Sequence, residues 1–207
     1  MTAREAAPLA RERNVIAAAL AILSAAAWAI LIWQADAADM FSMAPTMGMT
    51  AVLFILIWIV MMVAMMFPTA APMILLFGRV QAERRSRGEA YVATSVFVGA
   101  YLLVWSAAGI AAFIAAIAAE RLAGALGMTA EAAARIGGGL LIAAGLYQLT
   151  PLKLSCLSHC RSPLSFVMHS WRPGTAGALR MGLEHGLYCL GCCWLLFVIL
   201  FPLGMMN

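Results

Sequence analysis

Sulfur and imidazole groups near the C-terminal end of the chain are spaced as ligands of a soft metal ion would be. Segment 181–194 holds Cys189, Cys192 and Cys193, with His185 one helical turn earlier. At about 100° per residue, these side chains and that of Met181 share an arc of about 120° on one helix face. Thiolate, thioether and imidazole ligands favour Cu(I) and also suit Zn, whereas Mg and Ca prefer oxygen. A single Cys is an ordinary small apolar residue, but this spacing favours a metal site.

A run of methionines in the second apolar stretch offers thioether ligands. Those that share one helix face are Met62, Met65 and Met66. Met66 precedes Arg79 by about as many residues as Cys193 follows Arg180, which places both sulfur sets about 20 Å from a cation that marks the membrane edge. We therefore predict that the methionine face packs against the cysteine face, with sulfur atoms within several ångströms. Methionine also fills gaps in cores, so a packing role is the alternative.

The loop that precedes the second apolar stretch is also rich in methionine. Its four thioethers belong to Met40, Met43, Met47 and Met49. Thioethers stay neutral and bind Cu(I) where a thiolate would oxidise, so this loop suits copper capture outside the cytoplasm. The alternative is that the loop lies back on the bundle or dips into the membrane interface.

A second group of soft ligands lies in the basic segment 152–175. It consists of Cys156, His159 and Cys160. In a reducing cytoplasm free thiols persist, and Cys/His clusters there more often bind metals or act in catalysis than form disulfides. Nearby, Glu184 either pairs with Arg180, four residues earlier, or has a functional role. Tyr147 and Gln148 are polar groups that could line the same cavity.

The composition of the chain predicts a membrane protein. Of its 207 residues, 65% are hydrophobic and 11% are charged, and the mean hydropathy is +0.95. A soluble domain is about 45–50% apolar and about 25% charged, so a soluble enzyme is excluded. A nucleic-acid binder is excluded too, because the net charge of +4 has no continuous basic face. The long unbroken apolar stretches predict an all-α, polytopic transmembrane helical bundle in contact with the lipid bilayer.

Five apolar stretches approach or exceed the about 20 residues that cross a hydrocarbon core. They cover residues 15–33, 50–77, 91–119, 136–150 and 176–203. We treat residues 1–207 as one transmembrane domain and read the third and fourth stretches as packing scaffold. Most of the 13 cations fall in the N-terminal segment and in loops 78–89 and 152–175. This distribution predicts a cytoplasmic N-terminus in a bacterial inner membrane.

Three motifs in order resemble a known family. They are WIVMMVAMMFPTAAP at 58–72, QLTPLK leading into CLSHCRSP at 148–163, and GLYCLGCCW at 186–194. Together they resemble a bacterial family of uncharacterised integral membrane proteins that are commonly described as predicted metal-binding. The resemblance covers the chain from about Trp58 to Asn207 and implies a polytopic inner-membrane protein. Family members continue past the equivalent of Asn207 into a further apolar helix, so the resemblance implies six or more spans.

These observations predict that the chain is a Cu(I)-binding membrane protein involved in copper handling, delivery or transport. In this hypothesis the outer methionines collect the ion, the second-stretch methionines pass it to the cysteines and His185, and the group at 156–160 holds it at the cytoplasmic face. No Walker motif and no Asp-Lys-Thr-Gly motif occurs in the sequence, so we predict no ATP-driven reaction. The expected partners are the metal ion and either other membrane subunits or a second copy of the chain.

Two other functions stay open at this point. The first is a membrane thiol oxidoreductase, in which Cys189 and Cys192 close a disulfide and the helix bundle holds a quinone. The second is a structural subunit of a membrane complex with no chemistry of its own. Analysis of the purified protein for bound metal and for a redox-active disulfide distinguishes these two functions from copper binding.

Overall fold

Helices form almost all of the chain that the structure describes, which is residues 3–37, 46 and 48–200. The structure is a computed structural model. Its helices are α1 (Ala3–Ala37), α2 (Ala51–Ser86), α3 (Thr94–Ala125), α4 (Ala130–Gln148), α5 (Pro151–Arg161), α6 (Pro163–Ser170) and α7 (Gly174–Leu200). Within these described residues, four helices are long and apolar enough to cross a membrane, or five if the bent pair α4 and α5 forms one span. The predicted all-α fold is confirmed.

The core of the bundle is formed by large side chains of α2, α3 and α7. Helix α2 packs against α1 and α3, and α3 packs against α7. The rings of Phe77 and Phe97 stack with centroids 4.9 Å apart. The indole N–H of Trp58 donates to the backbone carbonyl of Trp105 at 2.9 Å. These contacts hold α2 and α3 together, and the cysteine-bearing helix α7 packs against them.

Two glycines of α7 allow α3 to approach closely. A Cβ on Gly182 would collide with the backbone carbonyl of Phe97, and a Cβ on Gly186 would lie 2.8 Å from a methyl group of Val104. Small residues four apart on a membrane helix let two backbones come together. The close approach brings the cysteine face of α7 against the side of α3 that carries Tyr101.

The segment predicted as loop 78–89 is mostly helical, so that prediction is wrong. Helix α2 was expected to end with the apolar stretch 50–77, but it continues to Ser86. Its polar end is stabilised within the helix, because Glu83 and Arg87 form an ion pair at i and i+4. The cations of this segment therefore extend from the end of a helix.

The prediction that residues 152–175 form a loop is also wrong, because this segment contains most of α5 and all of α6. Each helix starts with a proline, Pro151 or Pro163, at a position where the missing backbone N–H costs nothing. The hydroxyl of Thr150 accepts from the backbone N–H of Lys153 and caps α5. The chain bends by 63° between α4 and α5. Helix α5 then packs along α7 and does not leave the bundle.

Candidate metal centre

Three cysteine thiols from two helices meet in the interior of the bundle. The Sγ atoms of Cys160 on α5 and of Cys189 and Cys192 on α7 all lie within 4.8 Å of one another. Cys189 and Cys192 are buried, Cys160 is half-buried, and all three are free thiols. A metal–thiolate bond of about 2.3 Å allows two sulfur atoms up to about 4.6 Å apart to share one ion. The three thiols, called the thiol group below, are therefore spaced to share a single soft ion after small side-chain movements.

The position of Cys160 corrects the prediction of a separate group at the cytoplasmic face. The sequence placed Cys156 and Cys160 in a loop, apart from the cysteines of α7. In the structure α5 lies against α7, and the Sγ atom of Cys156 would be 3.0 Å from a Cβ on Gly191. The missing side chain of Gly191 leaves room for α5 to pack there. One of the two loop cysteines thus joins the thiol group, while the other packs on α7 beside it.

His159, the third member of that predicted group, is not part of the thiol group. Its ring stacks on Tyr188 with centroids 4.2 Å apart and an angle of 7° between planes. Its Nδ1–H donates to the backbone carbonyl of Ser155 at 2.9 Å. The imidazole is exposed and outside the thiol group.

Met66 and Tyr101 lie beside the most buried side of the thiol group. The Cys189 thiol points toward the Sδ atom of Met66 at 4.0 Å, so the predicted approach of a methionine to the cysteine face is confirmed for this residue. The Tyr101 hydroxyl lies 3.4 Å from the Cys189 Sγ atom. Sequence reasoning missed Tyr101 because it treated α3 as scaffold. The available signal was a hydroxyl-bearing ring in the first third of an Ala-rich apolar helix.

Three of the other predicted methionines belong to the hydrophobic core or pack against its edge. Met62 is completely buried in the hydrophobic core, and Met65 packs at the edge of that core. Met49 also packs at its edge, as the alternative interpretation of the outer loop expected. The remaining three loop methionines lie outside the described residues, and they are Met40, Met43 and Met47.

Cys193 and His185 border the thiol group without joining it. The Cys193 Sγ atom lies 3.2 Å from that of Cys192, and its side chain is half-buried. The Cys192 thiol donates to the backbone carbonyl of Cys189 at 3.1 Å. His185 is buried among aromatic rings one turn before Cys189. The predicted arc on α7 therefore divides into two thiols that meet Cys160 and two neighbours outside that group.

Glu184 on α7 and Tyr147 at the end of α4 both have hydrogen-bond partners. The guanidinium of Arg180 donates to the Glu184 carboxylate at 2.8 Å, which settles the two interpretations of Glu184 in favour of pairing. The Tyr147 hydroxyl donates to the Gly191 carbonyl at 2.5 Å. It thereby ties the end of α4 to α7 at the level of the thiol group.

A family model described as PpoB2, copper chaperone, matches residues 55–207. The chain belongs to this copper chaperone family. No curated protein and no solved structure matches the chain. The matched segment contains Met66, Tyr101 and the whole thiol group. The match confirms the metal-binding, copper-related character that the sequence motifs implied.

For a copper chaperone, the chemistry of this centre is consistent. The thiol group and the thioether of Met66 are soft donors, which suit Cu(I) better than hard cations. The acidic side chain nearest in sequence, Glu184, is occupied by Arg180. The copper-related family and the cluster of sulfur donors are therefore consistent with each other.

Proposed function

We propose that this chain binds one Cu(I) ion inside its helical bundle, between α5 and α7, and delivers it as a membrane-embedded copper chaperone. The observation that carries the proposal is the meeting of three free thiols from two helices within 4.8 Å. In this proposal Cys160, Cys189 and Cys192 are the thiolate ligands, and Met66 is the adjacent thioether. Zn is the second choice for the same donors.

Because the thiol group lies in the interior of the bundle, its thiols are expected to ionise only when they bind a metal ion. Thiolates are costly to hold in an apolar interior, and a bound cation compensates that charge. Because thiols lose their protons when they bind a metal, the apparent affinity for Cu(I) should fall as the pH falls. Helices α5 and α7 both contribute ligands, so the ion also links the two helices.

The other soft ligands predicted from the sequence extend this centre into a route. We propose that the outer-loop methionines collect the ion, namely Met40, Met43, Met47 and Met49. Met62 and Met65 continue the thioether face of α2 toward Met66. In this route Cys193, Cys156 and His159 would receive the ion when it leaves the thiol group.

The orientation in the membrane follows from the cations. We propose an inner-membrane protein with a cytoplasmic N-terminus, supported by the Arg-rich end of α2 and by the positive-inside rule. In a background without native cysteines, Ser86→Cys and Ser42→Cys should react oppositely with an impermeant maleimide in intact cells. Reaction of Ser86→Cys from outside would overturn this orientation.

Cu(I) retention by the purified chain tests the proposed function. In reducing buffer and against a weak competing chelator, we expect at least one retained ion per chain, held by the thiol group. A chain that retains no copper under weak competition would contradict the proposal.

An apolar cavity favours the thiol oxidoreductase as the second candidate. The cavity has a volume of about 690 Å³ and lies between α3, α4 and α7, with Trp58, Trp194 and Gly191 in its wall. This volume falls within the about 300–1,000 Å³ of ligand pockets, and Gly191 adjoins Cys192 in the chain. A quinone in this cavity would be close to the thiol group. A reducible disulfide between Cys189 and Cys192, with bound quinone and no copper, would support this function instead.

A further inference from the structure

His185 presents a buried imidazole nitrogen that has no partner. The side chain is 2% exposed, and its Nδ1 atom makes no hydrogen bond within the described part of the chain. A buried polar atom without a partner costs free energy, so such atoms often indicate a ligand or a functional role. The structure around this nitrogen therefore needs an explanation beyond packing.

Aromatic rings enclose His185 and hold its orientation. The rings of Phe97 and Tyr101 on α3 have centroids 6.0 Å and 5.7 Å from the imidazole, and the ring of Phe166 on α6 lies 5.5 Å away. The neighbouring carboxylate of Glu184 pairs with Arg180. The imidazole is thus kept dry and fixed by two other helices, while the adjacent acid is occupied elsewhere.

Soft donors continue along the buried side of α7 in steps of one turn. Met181, His185 and Cys189 are each four residues apart, and all three are buried. Four residues correspond to about 6 Å of rise and about 40° of rotation, so the three side chains follow one stripe. Thioether, imidazole and thiol are the donor types that Cu(I) prefers.

We propose that His185 is a second Cu(I) position, one turn from the thiol group, with Nδ1 as its nitrogen ligand and Met181 as the neighbouring thioether. This inference rests on the proposed function and deepens it, because it gives the chain two positions for its ion along α7. The second position has neutral ligands only, so it should bind Cu(I) more weakly than the thiolates do. The order of filling is then thiol group first and His185 second.

X-ray absorption at the copper edge can separate the two positions in the full chain. The purified protein is loaded with one and then two equivalents of Cu(I) in reducing buffer. We expect only sulfur neighbours for the first equivalent and a nitrogen neighbour that appears with the second. His185→Phe, which keeps a ring among its aromatic neighbours, should lose the second equivalent and its nitrogen signal while retaining the first.

His169→Phe is the matched control, because it makes the same substitution at an exposed imidazole on α6. The Nδ1–H of His169 already donates to the backbone carbonyl of Ser165 at 2.8 Å, so this variant should keep both equivalents. If His185→Phe loses even the first equivalent, His185→Gln is measured instead, because its smaller side chain avoids overfilling the site.

Two results would overturn the second position while leaving the proposed function standing. One is a nitrogen neighbour already present in the first equivalent, which would place His185 in the same site as the thiols. The other is an unchanged second equivalent in both His185 variants. Failure of the unmodified chain to retain the first equivalent would instead contradict the proposed function itself.

Discussion

Cys160→Ser should lower the affinity of the chain for Cu(I) by at least about tenfold, whereas Cys156→Ser should leave it nearly unchanged. Cys160 lies within 4.8 Å of both other thiols, while Cys156 packs on Gly191. Loss of a group that only orients a metal ligand already costs about 10–100-fold in affinity. Loss of a thiolate ligand should therefore cost at least the lower end of that range.

These two variants form a matched pair. Both cysteines lie on α5, both are half-buried, and both are free, so the same substitution should perturb the helix to a similar extent. Affinity is measured by competition with a Cu(I) chelator in reducing buffer. Equal losses in the two variants, or a larger loss for Cys156→Ser, would show that α5 does not place Cys160 at the ion.

Cys192→Ser should also reduce Cu(I) affinity by at least about tenfold, and Cys193→Ser should have a smaller effect. Cys192 is buried in the thiol group, whereas Cys193 is half-buried and contacts the group at its edge. Serine retains a hydrogen-bond donor toward the Cys189 carbonyl, so the backbone contact made by Cys192 can survive the substitution. The difference between the variants then reports the loss of a sulfur ligand.

The same chelator competition measures this second pair, with copper per folded chain as the readout. Adjacent positions on one helix lie at nearly the same depth but point in different directions, which makes Cys193→Ser a suitable control for Cys192→Ser. A larger loss in Cys193→Ser would move the site to the outer side of α7. Unchanged affinity in Cys192→Ser would remove this residue from the ligand set.

The sequence contains enough information to predict the helices and one inter-helix contact. Long apolar stretches require hydrogen bonds within the segment, so helices in a membrane follow from composition. The approach of Met66 to Cys189 was predictable because rise per residue converts distance from a cationic marker into depth. Both predictions depend on local geometry, which a single sequence contains.

The joining of Cys160 to the α7 cysteines could not be predicted in the same way. Segment 152–175 is polar enough to be a loop, and its two short helices are recognisable mainly by the prolines that start them. Whether α5 leaves the bundle or folds back depends on the bend after α4 and on the space beside Gly191. These are packing properties of distant segments. The contact between Tyr101 and the thiol group could not be predicted for the same reason, since it depends on which face of α3 meets α7.

Retention of Cu(I) by the unmodified chain tests most directly whether the bundle holds copper. The full chain is purified in a membrane mimetic, loaded in reducing buffer, exposed to a weak competing chelator, and analysed for metals and for disulfides. We expect at least one copper per chain with all thiols reduced, because one group of three thiols is spaced to share one ion. Chains that retain no copper, whether they are metal-free or contain a reducible Cys189–Cys192 disulfide, would contradict this function.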